Sequence, residues 1–190
     1  MAMILASQSP RRRELLERMG VAEFDIIPAQ GEEVMDPSLS PDRLVEELSR
    51  QKCAEVAAAH PDGLVIAADT VVSVGGLVLG KPHSREEAVS MLRRLSGREH
   101  RVHTAVRILS PAGSRSLVST AEVHFAPMTD REIEWYVSTG EPMDKAGAYG
   151  IQGYACRYIT GIRGDYYTVM GLPVQMLYRA LCDLGILGES

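Results

Sequence analysis

The sequence predicts an α/β domain built on a mixed β-sheet flanked by helices. Three observations point there. A short apolar strand, Met3-Ile4-Leu5-Ala6, passes through a hydroxyl-rich turn into an amphipathic helix. Leu64-Val65-Ile66-Ala67-Ala68 is a continuous apolar run of the kind buried on both faces of a parallel sheet. His100–Leu109 and Ser116–Phe125 read as two strands joined by Pro111-Ala112-Gly113-Ser114, an antiparallel pair rather than a β-α-β unit, so the sheet is mixed.

Taken in order, the first helix has Ser9 as N-cap, Pro10 at its first position and Gly20 just past its end. Phe24–Ile27 predicts a short strand, and Pro37 and Pro41 bracket a loop. A long helix then runs from Pro41 toward His60 with Ser40 as its cap, and Leu44, Leu48 and Val56 lie on one row spaced by four. Gly75-Gly76 makes a tight hairpin between Val71–Val74 and Leu77–Leu79. Ser84 with Glu87 and Thr129 with Glu132 are capping boxes that open two more helices. Cys156–Thr160 and Tyr166–Met170 are expected as strands, and Pro173 starts the last helix.

Bulk properties narrow the function classes. At 190 residues and 45% hydrophobic content the chain can bury a core in one domain, with room for a smaller lobe. A net charge of −5 argues against a general nucleic-acid surface. Cys53, Cys156 and Cys182 are odd in number and widely spaced, which favours a reducing compartment and a packing role over zinc or disulfides. No apolar run approaches membrane-spanning length, and a cytoplasmic protein is expected. His100 and His103, three apart on a strand, face opposite sides and are not a metal pair.

Several residues stand in places that physical chemistry makes costly. Arg11, Arg12 and Arg13 occupy the first turn of a helix, where each cation opposes roughly 0.3–1 kcal/mol of dipole stabilisation unless an anion sits among them. Rotation of ~100° per residue lets at most two of the three face one ligand, so Arg11 and Arg12 are the candidates. The alternative is a solvated basic turn. Lys52 falls in the apolar row of the long helix, where it either snorkels or points its ammonium into a pocket. Asp69 ends a core strand, where a carboxylate is either satisfied by backbone donors or held for chemistry. The hairpin returns Lys81 to within about a residue of Asp69. Asp144–Gly153, with three glycines and Gln152, suits close backbone approach to a ligand, or is an ordinary surface loop. With Glu32 and Glu33 on an earlier loop, this is a polyphosphate site with carboxylates, and carboxylates tolerate phosphate when magnesium or manganese lies between.

The segments that carry these residues resemble the Maf family of nucleoside triphosphate pyrophosphatases over essentially the whole length. They are Leu5-Ala6-Ser7-Gln8-Ser9-Pro10-Arg11-Arg12, Glu32-Glu33, Gln51-Lys52, Ala68-Asp69-Thr70, Gly80-Lys81-Pro82, Leu95-Ser96-Gly97, Thr104-Ala105-Val106, Glu141 through Gly153 and Gly171-Leu172-Pro173. The resemblance implies a single domain over residues 1–190, related to inosine triphosphate pyrophosphatases: an elongated mixed β-sheet flanked by helices, two lobes with a central cleft, and commonly a homodimer. It implies hydrolysis between the α and β phosphates, with Asp69 at the position of the proton acceptor and Ser7, Arg12, Glu33, Lys52, Lys81 and Gln152 at site positions. Arg11, Thr70 and Gln152 match the group similar to dTTP/UTP pyrophosphatases. A Gln amide donates and accepts at once, so it can read the carbonyl and N–H edge of uracil or thymine.

The expected assignment is therefore Asp69, Lys81 and Lys52 as catalytic, Ser7, Arg11, Arg12, Thr70 and Gln152 as substrate-binding, and Glu33 with Asp69 as ligands of a divalent cation, Mg2+ or Mn2+. Asp69 is either metal ligand or base. A carboxyl near pKa ~3.9 is a weak base alone, so it more readily orients water and takes its proton after metal polarisation. Expected partners are a nucleoside triphosphate and a second copy of the chain, with no nucleic-acid polymer and no membrane. The rival is a non-catalytic nucleotide-binding regulator of septum formation and cell division, a role linked to the family.

Overall fold

The computed structural model describes residues 1–31 and 34–188. Seven strands are β1 (Met3–Leu5), β2 (Asp25–Ile26), β3 (Leu64–Val74), β4 (Leu77–Leu79), β5 (Glu99–Ser110), β6 (Gly113–Phe125) and β7 (Ile159–Arg163). Six helices are α1 (Pro10–Arg18), α2 (Pro41–Ala59), α3 (Arg85–Leu95), α4 (Asp130–Ser138), α5 (Tyr166–Met170) and α6 (Val174–Asp183). The strand order is β2-β1-β3-β5-β6-β7, with β4 paired to β3. β1 is parallel to β2 and β3, whereas β4 is antiparallel to β3 and β7 to β6. The mixed sheet of the expected α/β class is present.

The chain divides into two compact units, cut within β3, β5 and β6. The first comprises Met1–Asp69, Thr104–Ser119 and Gly171–Ser190. Its parallel register pairs Met3 with Leu64 and Leu5 with Ile66. Ile4 of β1, Ala6 just past it, and Val65 and Ala67 of β3 pack with Cys53 and Val56 of α2 in one core cluster. The period of two in the strands thus meets two helix residues three apart, Cys53 and Val56, on one face of α2. Burying side chains such as Leu48 of α2, 2% exposed, is worth about 1.5–3 kcal/mol each.

The second unit comprises Thr70–His103 and Thr120–Met170. Its core gathers Val72 and Leu79 with Leu92 and Leu95 of α3 and Ile133, Tyr136 and Val137 of α4. The capping box that opens α4 forms in both directions: the Thr129 N–H donates to Glu132 Oε2 at 2.8 Å and the Glu132 N–H to Thr129 Oγ1 at 3.3 Å. At α3 only half forms. Ser84 Oγ accepts from the Glu87 N–H at 3.1 Å, but the Glu87 carboxylate takes its bond from the His83 N–H.

Four local expectations are corrected. Ser9 holds the N-cap position of α1 without a side-chain cap bond, and its N–H turns back to Ser7 Oγ at 3.2 Å. Tyr166–Met170 is helical: Asp165 accepts from the N–H groups of Tyr167 and Thr168, and that cap overrides the β-like composition. Tyr154–Tyr158 is a 3-10 turn, and the strand starts only at Ile159. Cys53 is a core residue, but Cys156 is exposed and does not pack.

Candidate active site

β1 and β3 run parallel, and in open α/β sheets ligands bind beyond the carboxyl ends of such strands. The costly residues of the first unit collect at those ends. Ser7 lies two residues past β1, and the intervening Ala6 N–H still donates to the Ile66 carbonyl at 2.8 Å. Asp69 lies three residues beyond Ile66 on β3, past the last pair with β1. A separate cavity of about 400 Å³, lined by Met1, Ala2, His60 and Asp62 among others, opens near the starts of the same strands. It is not near this chemistry.

Ser7 is buried, and two donors converge on its oxygen: the Ser9 N–H and the Arg12 guanidinium, whose Nη1 lies at 3.1 Å. With both acceptor positions used, the hydroxyl hydrogen is the group left to bond a further partner. Arg12 Nε donates to the Gly171 carbonyl at 2.8 Å, so one planar fork ties the start of α1 to the segment before α6. Arg13 turns to solvent and pairs with Glu17 at 2.8 Å, as the rotation argument expects. No acidic residue stands in the first turn of α1 to offset its arginines.

The Lys52 ammonium meets Asp69 Oδ1, with the two side chains 16% and 8% exposed. Those values exclude snorkelling. The lysine leaves the apolar row of α2 to neutralise a carboxylate on the core strand, and a charge so placed persists only when paired. The neighbouring thiol of Cys53 behaves oppositely: burial pushes it up to about 11, leaving it a protonated packing residue.

In the second unit, continuing the β3–β4 register of Val72–Leu79, Ser73–Val78 and Val74–Leu77 sets Lys81 across from Thr70. Lys81 and Gln152 are exposed, and Thr70 is half-buried. The glycine-rich segment is anchored to the lysine turn, since the Gly147 N–H donates to the Gly80 carbonyl at 3.0 Å. Gly147 has φ +67°, and a Cβ there would stand 2.8 Å from a Val72 methyl, so no other residue fits.

Sequence reasoning missed Glu141. Its Oε1 accepts from the Tyr136 hydroxyl at 2.7 Å and its Oε2 from the Tyr154 N–H at 3.0 Å. The Tyr136 oxygen in turn accepts from the Gly150 N–H at 3.1 Å. A buried phenol at an apolar helix position was the available signal, because such a hydroxyl needs a partner.

His100 and His103 go to separate partners: His100 Nε2 bonds Tyr149 at 2.8 Å, while His103 bridges Ser73 and Thr120. Among the described residues, Glu99, Glu122 and His124 bring one ligand atom each within 4.8 Å of one another. Of the predicted metal set, Asp69 is not in that group but is a hard oxygen donor suited to Mg2+ or Mn2+, and Glu33 falls outside the described residues. Among the described residues, no helix is long and apolar enough to cross a membrane.

Residues 2–184 match the family model described as Maf-like protein. The chain belongs to the Maf-like family. Within that family it is 50% identical over 184 residues to a dTTP/UTP pyrophosphatase of Bacillus velezensis, covering 97% of both chains. It is also 50% identical over 187 residues to a dTTP/UTP pyrophosphatase of Carboxydothermus hydrogenoformans, covering 97% of this chain and all of the other. Among solved structures, a HAM1 protein from Coxiella burnetii superposes with a TM-score of 0.54 at 16% identity, covering 96% of this chain and all of that one. The Ham1 protein of Staphylococcus aureus gives 0.54 at 15%, covering 96% and 99%. These likenesses show the fold, the mixed helix-flanked sheet that the Maf-like sequence predicts.

Proposed function

We propose that this Maf-like protein is a nucleoside triphosphate pyrophosphatase acting on dTTP and UTP, adding one water across the α–β phosphoanhydride to give monophosphate and pyrophosphate. The observation that carries the reading is the buried Lys52–Asp69 pair on β3, past the last pairing with β1, in a chain half identical, end to end, to dTTP/UTP pyrophosphatases. A simple binding protein has little reason to bear the cost of burying that pair.

Each residue is assigned a task. The Ser7 hydroxyl and the Arg11 and Arg12 guanidinium groups bind phosphate oxygens at the start of α1, where the helix dipole adds to their charge. Lys52 and Lys81 neutralise charge that develops as the anhydride breaks. Asp69 orients the attacking water and takes its proton, and Lys52 keeps that carboxylate fixed. Thr70 contacts substrate, and Gln152 reads the base edge. Asp69 and Glu33 would hold Mg2+ or Mn2+, which when bound offsets phosphate charge and lowers the pKa of water. One functional domain over 1–190, a homodimer and a cytoplasmic location complete the proposal.

The test is pyrophosphate release from a panel of nucleoside triphosphates with and without divalent cation. Pyrophosphate from UTP and dTTP above the purine nucleotides is the expected result. Orthophosphate as first product would indicate a phosphatase, and binding without release a nucleotide-binding regulator.

A further inference from the structure

Gln152 is exposed on a glycine-rich loop, yet an amide that distinguishes one base edge from another must be held to within a fraction of an ångström. What holds it is visible two residues to either side. On one flank the Gly150 N–H donates to the Tyr136 hydroxyl oxygen at 3.1 Å, and that hydroxyl donates to Glu141 Oε1 at 2.7 Å. On the other flank the Tyr154 N–H donates to Glu141 Oε2 at 3.0 Å. Both flanks therefore end on the two oxygens of one carboxylate. Between them the Gly153 N–H closes onto the Gly150 carbonyl at 3.1 Å.

The backbone that carries this carboxylate is itself fixed. The Glu141 N–H donates to Thr139 Oγ1 at 3.2 Å, and its carbonyl accepts from Lys145 Nζ at 2.7 Å. Tyr136 is fully buried on α4, and burial together with the bond to Glu141 holds its phenol well above the ordinary range, so it stays a donor. The backbone has been fitted to this arrangement: a Cβ on Gly153 would lie 2.2 Å from Glu141 Oε2, and one on Gly150 would lie 2.6 Å from the Lys145 chain. Neither glycine can carry a side chain while these contacts stand.

We propose that Glu141, acting with Tyr136, is a positioning residue for Gln152 and thereby sets the preference for a uracil or thymine edge. The proposal rests on Gln152 reading the base. A carboxylate suits the task because both its oxygens accept, whereas an amide there would present an N–H group to one of the two donors.

The test measures kcat/KM for UTP and CTP by pyrophosphate release in Glu141→Gln, Tyr136→Phe, Gln152→Ala and the double variant Glu141→Gln/Gln152→Ala, with thermal melting to confirm folding. Tyr136→Phe changes no packing volume, so it serves if Glu141→Gln does not fold. Each folded single variant should lower the UTP-over-CTP preference about tenfold, through the KM for UTP, and the double variant should lower it no further than Gln152→Ala alone. Equal loss on both nucleotides, or an unchanged preference in Glu141→Gln and Tyr136→Phe while Gln152→Ala loses it, overturns the positioning role and leaves the reading of Gln152 standing. An unchanged preference in Gln152→Ala overturns that reading, and the positioning role with it.

Discussion

Two carboxylates in this protein are held in opposite ways. Asp69, on a core strand of the first unit, is held by a cation, Lys52. Glu141, at the start of a short 3-10 turn in the second, has its two carboxylate oxygens held by a phenol and one peptide N–H, both neutral. A buried carboxylate beside an ammonium is an electrostatic device: it controls charge where charge changes. One whose oxygens accept only from neutral donors, with the nearby Lys145 ammonium on the backbone carbonyl instead, is a mechanical device, using its two oxygens to fix a loop. The difference separates groups expected to act in the reaction from groups expected to place others.

That contrast breaks most sharply at Asp69. Asp69→Asn retains an oxygen for Lys52 but removes the charge and the basic site, so turnover of UTP should fall at least about a thousandfold, roughly 4 kcal/mol of transition-state stabilisation. Binding of a non-hydrolysable UTP analogue, measured by calorimetry, should stay within about tenfold of the parent. Near-normal turnover would put Asp69 in the same mechanical class as Glu141. The positioning variants of the second unit are expected to act on preference and on KM instead.

The electrostatic residues were legible in the sequence because each violates a local rule. An aspartate at the end of Leu64–Ala68, a lysine in the row of Leu44 and Leu48, and arginines at the start of a helix all conflict with where charge is cheap, and the structure brings Lys52 to Asp69 and Arg12 to Ser7. Glu141 breaks no rule. A glutamate after Gly140 and before Pro142 reads as an ordinary loop residue, and its partners lie five and thirteen positions away on elements whose packing the local pattern does not encode. Tyr166–Met170 failed for a related reason: its aromatic and β-branched residues suggest a strand, and the deciding interaction is a cap from the preceding Asp165. Glu33 lies outside the described residues, so its metal role stays with the proposal.

Acid tests the second unit further, because a buried histidine bonds the residue that precedes Gly150. His100 bonds the Tyr149 hydroxyl and stacks edge-on against Phe125 and Tyr149, immediately before Gly150 in the loop. Burial, with a smaller contribution from His124, pushes its pKa down to about 4. The unfolded chain binds that proton near pH ~6.5, so the contribution of neutral His100 is complete above that pH and is lost as pH falls toward 4. At most about 3 kcal/mol is involved. Denaturant unfolding at pH 7, 6, 5 and 4 should show this decline, and His100→Gln should flatten it. An unchanged slope in the variant would move the acid sensitivity to other groups.

The smallest expected effect compares neighbours within the first unit. Arg12 and Arg13 are adjacent in sequence and about 100° apart on α1. Arg12 reaches Ser7 and the Gly171 carbonyl, while Arg13 pairs with Glu17 on an exposed face. An exposed pair of this spacing contributes about 0.3–0.5 kcal/mol, so Arg13→Ala should leave the KM for UTP within about twofold and stability nearly unchanged. Arg12→Ala should raise that KM about tenfold, while the inhibition constant of uridine, which has no phosphate, moves less than about threefold. If uridine weakens as much as UTP, Arg12 acts only by tying α1 to Gly171. If Arg13→Ala matches Arg12→Ala, the basic turn binds as a diffuse field of charge and not through a placed fork.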